Sequence, residues 1–175
     1  MTKIIFYYLI SFSILSCSQG QSNHSKKVLK TEIGNIKFDE TITGFKFTQM
    51  LGKKFLYSPN GKKDINNNFR TSGYYILGVP NINHDNVKGY LQDFSQGYSQ
   101  QEEIAKVADL KVEIFNTAFG KASVVTFTVY YKSKEKGMAL QAMVSNGKDA
   151  ILFVGEDYKE GKFIEKFKQT FKSIE

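Results

Sequence analysis

The C-terminal half of the chain carries a regular two-residue alternation that limits its fold more than any other feature. In residues 122–131 and 138–145, one face of each run is apolar or aromatic, and residues 150–154 are apolar throughout. Asn146-Gly147 lies between the last two runs, and this dipeptide favours a tight hairpin in which both residues take positive φ angles. The sequence therefore predicts an antiparallel meander, with residues 150–154 in a central strand because both its faces are apolar.

Helical spacing of apolar residues predicts helices on either side of this meander. The first is capped by Asn83 or Asp85, the second is short and spans residues 101–108, and the third closes the chain over residues 163–174. Shorter alternating runs at 33–38, 44–50 and 74–79 predict further strands. We expect an α+β fold in which an antiparallel sheet of about six to eight strands is covered by two or three helices, within one domain spanning residues 31–175.

The N-terminus has the layout of a secretory signal. Lys3 is followed by an uncharged apolar run at 4–15 and then by the small Ser16. Twelve helical residues span about 18 Å, which is short of the roughly 30 Å hydrocarbon core, so a transmembrane helix is disfavoured. Residues 1–16 are predicted as the signal peptide, and residues 17–30 as a modified cysteine followed by a flexible polar tether.

The residues Ile14-Leu15-Ser16-Cys17 resemble the lipobox of bacterial lipoproteins. This resemblance implies cleavage before Cys17 and attachment of acyl chains such as palmitate, and two or more chains anchor a protein stably to a membrane. Ser18, in place of Asp, implies sorting to the outer membrane, with the domain facing the periplasm. Cys17 is the only cysteine, so an internal disulfide is excluded.

A second resemblance covers the later part of the chain. Residues 147–152, in the meander, and the helix containing Phe163, Ile164, Phe167 and Phe171 resemble the ending of PsbP-like domains. That fold is shared by a photosystem subunit, a Ran-binding nuclear factor and many bacterial lipoproteins. The resemblance implies a layered α/β sandwich and a role as a partner of larger complexes, but a fold does not by itself fix a function.

Patterns that would support catalysis or metal binding are not found in the sequence. His84 is the only histidine of the predicted domain, and no nucleophile motif precedes a helix. The adjacent acids at 102–103 and 156–157 are predicted to be solvated, because neighbouring side chains on a strand point different ways. We therefore predict no catalytic residue, no metal site and no cofactor.

One group of residues suggests a binding surface. The cations Lys53, Lys54, Lys62, Lys63 and Arg70 are interspersed with aromatic residues that include Phe55 and Tyr57. If they share a surface, they form a basic patch with aromatic edges, suited to an anionic polymer or to an envelope protein. The alternative is an exposed loop whose charges protect a neighbouring strand. The net charge of +7 favours anionic neighbours or simply solubility, and nucleic acid is not an expected partner for a secreted protein.

These observations favour a membrane-tethered envelope lipoprotein that acts as a binding, structural or assembly factor without catalysis. Two alternatives stay open. The domain could carry or sense a small ligand in a pocket between sheet and helix, or it could be an enzyme of unrecognised type. A buried carboxylate with a raised pKa that faces a cleft would favour the enzyme.

Overall fold

The structure, a computed structural model, describes residues 26–61, 72–158 and 161–175. Two segments with predicted functional residues, 1–25 with Cys17 and 62–71 with Lys62, Lys63 and Arg70, lie outside this part. The described residues contain the following strands and helices: β1 (Lys27–Thr31), β2 (Gly34–Phe38), β3 (Lys46–Leu51), β4 (Lys54–Ser58), β5 (Gly73–Val79), α1 (His84–Ser99), β6 (Ile104–Asn116), β7 (Lys121–Tyr131), β8 (Lys136–Ser145), β9 (Ala150–Asp157) and α2 (Ile164–Lys172).

Seven strands form one antiparallel sheet in the order β3-β4-β5-β9-β8-β7-β6, and β1 and β2 form a separate hairpin. The predicted α+β class and the antiparallel sheet are confirmed. Strand β9 is the middle strand, paired with β5 on one side and β8 on the other. It can lie there because apolar side chains on both of its faces are covered by other layers.

Two apolar cores lie on opposite faces of the sheet. The face covered by α1, called here the α1 face, packs Val87 and Leu91 of the helix against alternate residues of β7, β8 and β9. The other face, called the α2 face, is covered by α2 together with the β1–β2 hairpin, through Phe167, Phe171 and Phe38. The molecule therefore has three layers, and period-two alternation in each central strand serves both cores.

The short helix predicted at residues 101–108 is wrong, because β6 begins at Ile104. This strand pairs with β7, and its register shifts twice, between Ile104 and Lys106 and between Ala108 and Lys111. Each extra residue moves the following side chains to the other face of the strand. The apolar residues at 104, 107 and 108 consequently fall at a spacing that imitates a helix.

The hairpin predicted at Asn146-Gly147 is confirmed, but its turn differs from the expected one. The β8–β9 ladder closes at Ser145 and Ala150, which leaves four residues in the connection. Gly147 has a φ of 96°, whereas Asn146 does not have a positive φ. The Asn146 side-chain oxygen instead accepts hydrogen bonds from the N–H groups of Lys148 and Asp149, at 3.0 and 2.9 Å.

Residues 27–30, which the sequence predicts as part of the tether, belong to strand β1. Leu29 of β1 is buried against the α2-face core, which explains why this short strand is held in place. The C-terminal Glu175 exchanges two backbone hydrogen bonds with Lys37 of β2, at 3.0 and 2.9 Å. The first hairpin and the chain's last residue thus support each other.

Candidate functional site

The structure divides the predicted basic patch between the two faces of the sheet. Lys54 lies on the α1 face, with its Nζ 4.7 Å from the centroid of the Tyr75 ring. Lys53 lies in the β3–β4 turn, and its Nζ is 2.6 Å from Glu32 Oε1. Phe55 and Tyr57 point to the α2 face and are buried, so they do not form the aromatic edge expected of them.

Tyr57 belongs instead to an aromatic stack inside the α2-face core. Its ring is parallel to that of Tyr74 at 4.8 Å, and Tyr74 in turn stacks on Phe153 at 4.9 Å. Burial raises the pKa of both tyrosines far above the ordinary value. The three rings come from β4, β5 and β9, so the stack ties neighbouring strands together and gives Tyr57 a structural role.

The apolar part of an exposed surface is supplied by β3, which forms one edge of the sheet. Phe47, Met50 and Leu51 have exposed fractions of 43%, 54% and 54%, and Lys53 follows directly in the turn to β4. We call Phe47, Met50, Leu51 and Lys53 the β3 edge surface. Phe47 and Met50 lie opposite Tyr57 and Phe55 and point to the α2 face, whereas Leu51 lies opposite Lys54 and points to the α1 face. Large exposed apolar side chains along an edge strand, beside a cation, are typical of a protein-binding surface.

A second candidate is a carboxylate surrounded by tyrosines on the α1 face. Glu156 of β9 accepts a hydrogen bond from the Tyr98 hydroxyl of α1 at 2.6 Å and from the Tyr158 hydroxyl at 2.8 Å. The Tyr158 ring stacks on Tyr131 of β7 at 5.4 Å. We call Tyr98, Tyr131, Glu156 and Tyr158 the Glu156 cluster.

Small residues on the neighbouring strands leave room for these rings. Glu156 lies opposite Gly73 of β5 and Ala139 of β8. Gly137, two residues before Ala139, lies against the Tyr131 ring, since a Cβ there would be 3.4 Å from a ring carbon. The rings of Tyr98 and Tyr131 can therefore approach the sheet surface from above and enclose the carboxylate.

Burial sets the electrostatics of the Glu156 cluster. Desolvation raises the pKa of Glu156 above the usual range of a glutamate, although the two hydrogen bonds from tyrosines act in the opposite direction. Burial and the nearby carboxylate also raise the pKa of Tyr98 and Tyr158, so both phenols stay protonated donors at neutral pH. Each oxygen of Glu156 accepts a hydrogen bond from a phenol of the same chain, so the carboxylate is held in place by Tyr98 and Tyr158.

Sequence reasoning missed this cluster, because the acidic pair at 156–157 was predicted to be solvated and is not. Asp157 is buried on the α2 face, where it accepts hydrogen bonds from the Ser72 hydroxyl and from the Phe163 N–H, both at 2.7 Å. The two side chains do point different ways, as expected, but each points into a covered face. The useful signal was that residue 156 continues the two-residue alternation of Leu152 and Val154.

Neither a cluster of metal ligands nor a membrane-spanning helix is present within the described residues. No group of three or more His, Cys, Asp or Glu residues is placed to hold a metal ion in the part of the chain that is described. Among the same residues, no helix has both the length and the apolar character to cross a membrane.

The fold is similar to that of the Ran-binding protein Mog1p from Saccharomyces cerevisiae. The TM-score is 0.54 with 8% sequence identity, over 87% of this chain and 95% of that chain. A mutant of protein Mog1 gives the same TM-score with 9% identity, over 86% of this chain and 95% of the other. No family model matches the chain, and no curated protein matches its sequence. At such low identity, the likeness to Mog1 shows the fold alone.

Proposed function

We propose that the protein is a lipid-anchored envelope lipoprotein whose domain works by binding a protein partner, without catalysis. The β3 edge surface carries this proposal, because Phe47, Met50 and Leu51 are large, apolar and exposed along an edge strand, next to Lys53. Lys62, Lys63 and Arg70 follow in the chain after β4 and would add positive charge. The partner chemistry that fits is an apolar patch bordered by acidic groups.

The anchoring half of the proposal rests on the lipobox resemblance at Ile14–Cys17 and on the polar residues that follow it. Acyl chains on Cys17 would hold the domain at a membrane. Ser18 after the cysteine favours the outer membrane, with the domain in the periplasm. The tether would keep the domain within a few tens of ångströms of the lipid surface.

We also infer that the domain is of the PsbP-like kind. The resemblance of residues 147–171 to the ending of that fold supports this inference, as does the three-layer architecture around an antiparallel sheet. The structural neighbour Mog1p is a Ran-binding protein, which is compatible with a binding role for this chain. The likeness is too distant to suggest Ran or any other particular partner.

The Glu156 cluster does not favour the enzyme alternative. Glu156 has the raised pKa expected of a catalytic carboxylate. Both of its oxygens, however, accept hydrogen bonds from tyrosines of the same chain. We therefore assign the cluster a structural role, in fixing α1 to the sheet.

Site-specific photo-crosslinking in cells tests the binding proposal. A photoreactive residue in place of Met50, in the full chain with its cysteine intact, should give a discrete crosslinked band with an envelope protein. The same residue in place of Gln96, exposed on α1, is the matched control and should not give that band. Phe47→Glu should abolish the Met50 band, because Phe47 shares the α2 face with Met50 and the substitution places a charge in the apolar contact. Crosslinks of equal pattern and strength from positions 50 and 96 would contradict the proposal.

A further inference from the structure

The edge strand at the opposite end of the sheet carries a second exposed apolar row. Strand β6 has 13 residues and pairs with β7 on one side only within the described part of the chain. Leu110, Val112 and Ile114 are 55%, 58% and 60% exposed. They alternate along the strand, so they share one face and form a continuous apolar stripe. We call these three residues the β6 stripe.

Helix α1 does not cover the β6 stripe, although both lie on the same face of the sheet. Val112 is opposite Val125 of β7, which belongs to the α1-face core. The C-terminal end of α1 lies over the middle of β7, where the ring centroids of Tyr98 and Phe127 are 5.4 Å apart, opposite the second register shift of β6. The uncovered part of β6 is therefore the part that approaches the turn to β7.

The backbone of this segment offers hydrogen-bonding groups to a further strand. The Thr117 N–H donates to the Gly120 carbonyl at 2.8 Å and closes the β6–β7 hairpin. Because ladder hydrogen bonds alternate along an antiparallel pair, the N–H and C=O groups of Lys111, Glu113 and Phe115 point to β7. Those of Val112 and Ile114 point away from the sheet, where an added strand would lie.

We propose that β6 pairs antiparallel with β6 of a second copy of this chain, about a two-fold axis at Val112. In this register, Leu110 of each copy lies opposite Ile114 of the other, and the two Val112 residues face each other. On the other face, Lys111 of each copy lies opposite Glu113 of the other. Because the two-fold axis repeats every contact, the dimer has two Leu110–Ile114 pairs and two Lys111–Glu113 pairs. Apolar side chains therefore face apolar ones, and opposite charges face each other.

Neighbouring registers lack this complementarity. A two-fold axis at Ile114 would place Glu113 opposite Phe115 and Val112 opposite Asn116. The register shift between Ala108 and Lys111 includes Leu110, the first residue of the β6 stripe, and so limits regular pairing to the segment from Leu110 onward. Glu113 already accepts a hydrogen bond from Lys168 at 2.6 Å, and Lys111 of the second copy would approach the same carboxylate from the open side.

Charge exchange between copies tests both the dimer and its register. Sedimentation velocity of the full chain in a non-ionic detergent should show a dimer. Lys111→Glu and Glu113→Lys should each weaken self-association by at least about tenfold, because each turns two attractive pairs into repulsive ones. An equimolar mixture of the two variants should recover the dimer, because all the crossed pairs become attractive.

Disulfide trapping provides a second test that does not depend on affinity. In a Cys17→Ser background the engineered cysteine is the single thiol. The two Val112 residues would form a hydrogen-bonded pair, whose Cα atoms are about 5.5 Å apart and therefore within disulfide range. Val112→Cys should form a covalent dimer on mild oxidation. The control Leu51→Cys has similar exposure on the other edge strand and should stay monomeric. A monomeric parent chain, failure of the mixture to recover the dimer, or equal trapping at positions 51 and 112 would overturn the proposal.

Discussion

Removal of one hydroxyl from the Glu156 cluster should measurably destabilise the protein. The Tyr98 hydroxyl donates to Glu156 Oε1 at 2.6 Å, and the tyrosine is only 5% exposed. Tyr98→Phe removes the hydroxyl donor, so the half-buried Glu156 Oε1 loses this hydrogen bond. The substitution keeps the edge contact between the ring and Phe127. Hydrogen bonds to charged groups contribute about 1.5–3 kcal/mol, so we expect a loss of about 2 kcal/mol in the free energy of unfolding.

Urea unfolding at pH 7, followed by far-UV circular dichroism, measures this loss against a matched control. Tyr130 lies on the α2 face, where its ring is beneath Lys106 Nζ at 5.3 Å. A phenylalanine would keep that cation–π contact, so Tyr130→Phe should change stability by less than about 0.5 kcal/mol. Equal losses from Tyr98→Phe and Tyr130→Phe would refute the role assigned to the Glu156 cluster.

Two further predictions concern the pH dependence and the packing of the same region. Folding raises the pKa of Glu156, so the folded state binds more protons, and the free energy of unfolding should fall as pH rises from about 4.5 through the folded pKa. Glu156→Gln should flatten this part of the pH dependence. An unchanged slope in unfolding measured across this pH range would contradict the prediction. A Cβ at Gly155 would lie 2.5 Å from the Phe167 ring, whereas one at Gly89 on α1 meets nothing within 4 Å. In thermal unfolding, Gly155→Ala should lower the free energy of unfolding by about 1–3 kcal/mol, and Gly89→Ala should raise it by up to about 1 kcal/mol. A Gly155→Ala variant more stable than the parent would contradict the close contact between Gly155 and Phe167.

The parts of the fold that could be predicted are those where local pattern and tertiary contacts agree. Strands β7 and β8 alternate without interruption, β9 is apolar on both faces, and Asn146-Gly147 marks the turn between β8 and β9. Strand β6 could not be predicted at its start, because its register shifts break the period on which the prediction depends. A bulge is defined by the pairing of one strand with its neighbour, here β6 with β7. The local sequence of β6 therefore does not show where its bulges lie.

The candidate sites show the same limit. Alternation places Phe55 and Tyr57 on one face of β4, but it does not say whether that face is covered, and here it is buried beneath the hairpin and α2. Lys168 of α2 is mostly buried, with its ammonium 2.6 Å from Glu113 Oε1, although a lysine is a residue that local pattern alone would place in solvent. The partners of Glu156 come from α1, β7 and the chain after β9, so only tertiary structure brings them together.

Metabolic labelling with a palmitate analogue tests the central claim, membrane anchoring through Cys17, most directly. Cells that express the full chain should show labelled protein in the membrane fraction, at the mass expected after cleavage before Cys17. Cys17→Ser should abolish the label and either release the protein or leave its signal peptide uncut. Unchanged labelling, processing and membrane association of Cys17→Ser would contradict the proposal that this protein is a lipoprotein.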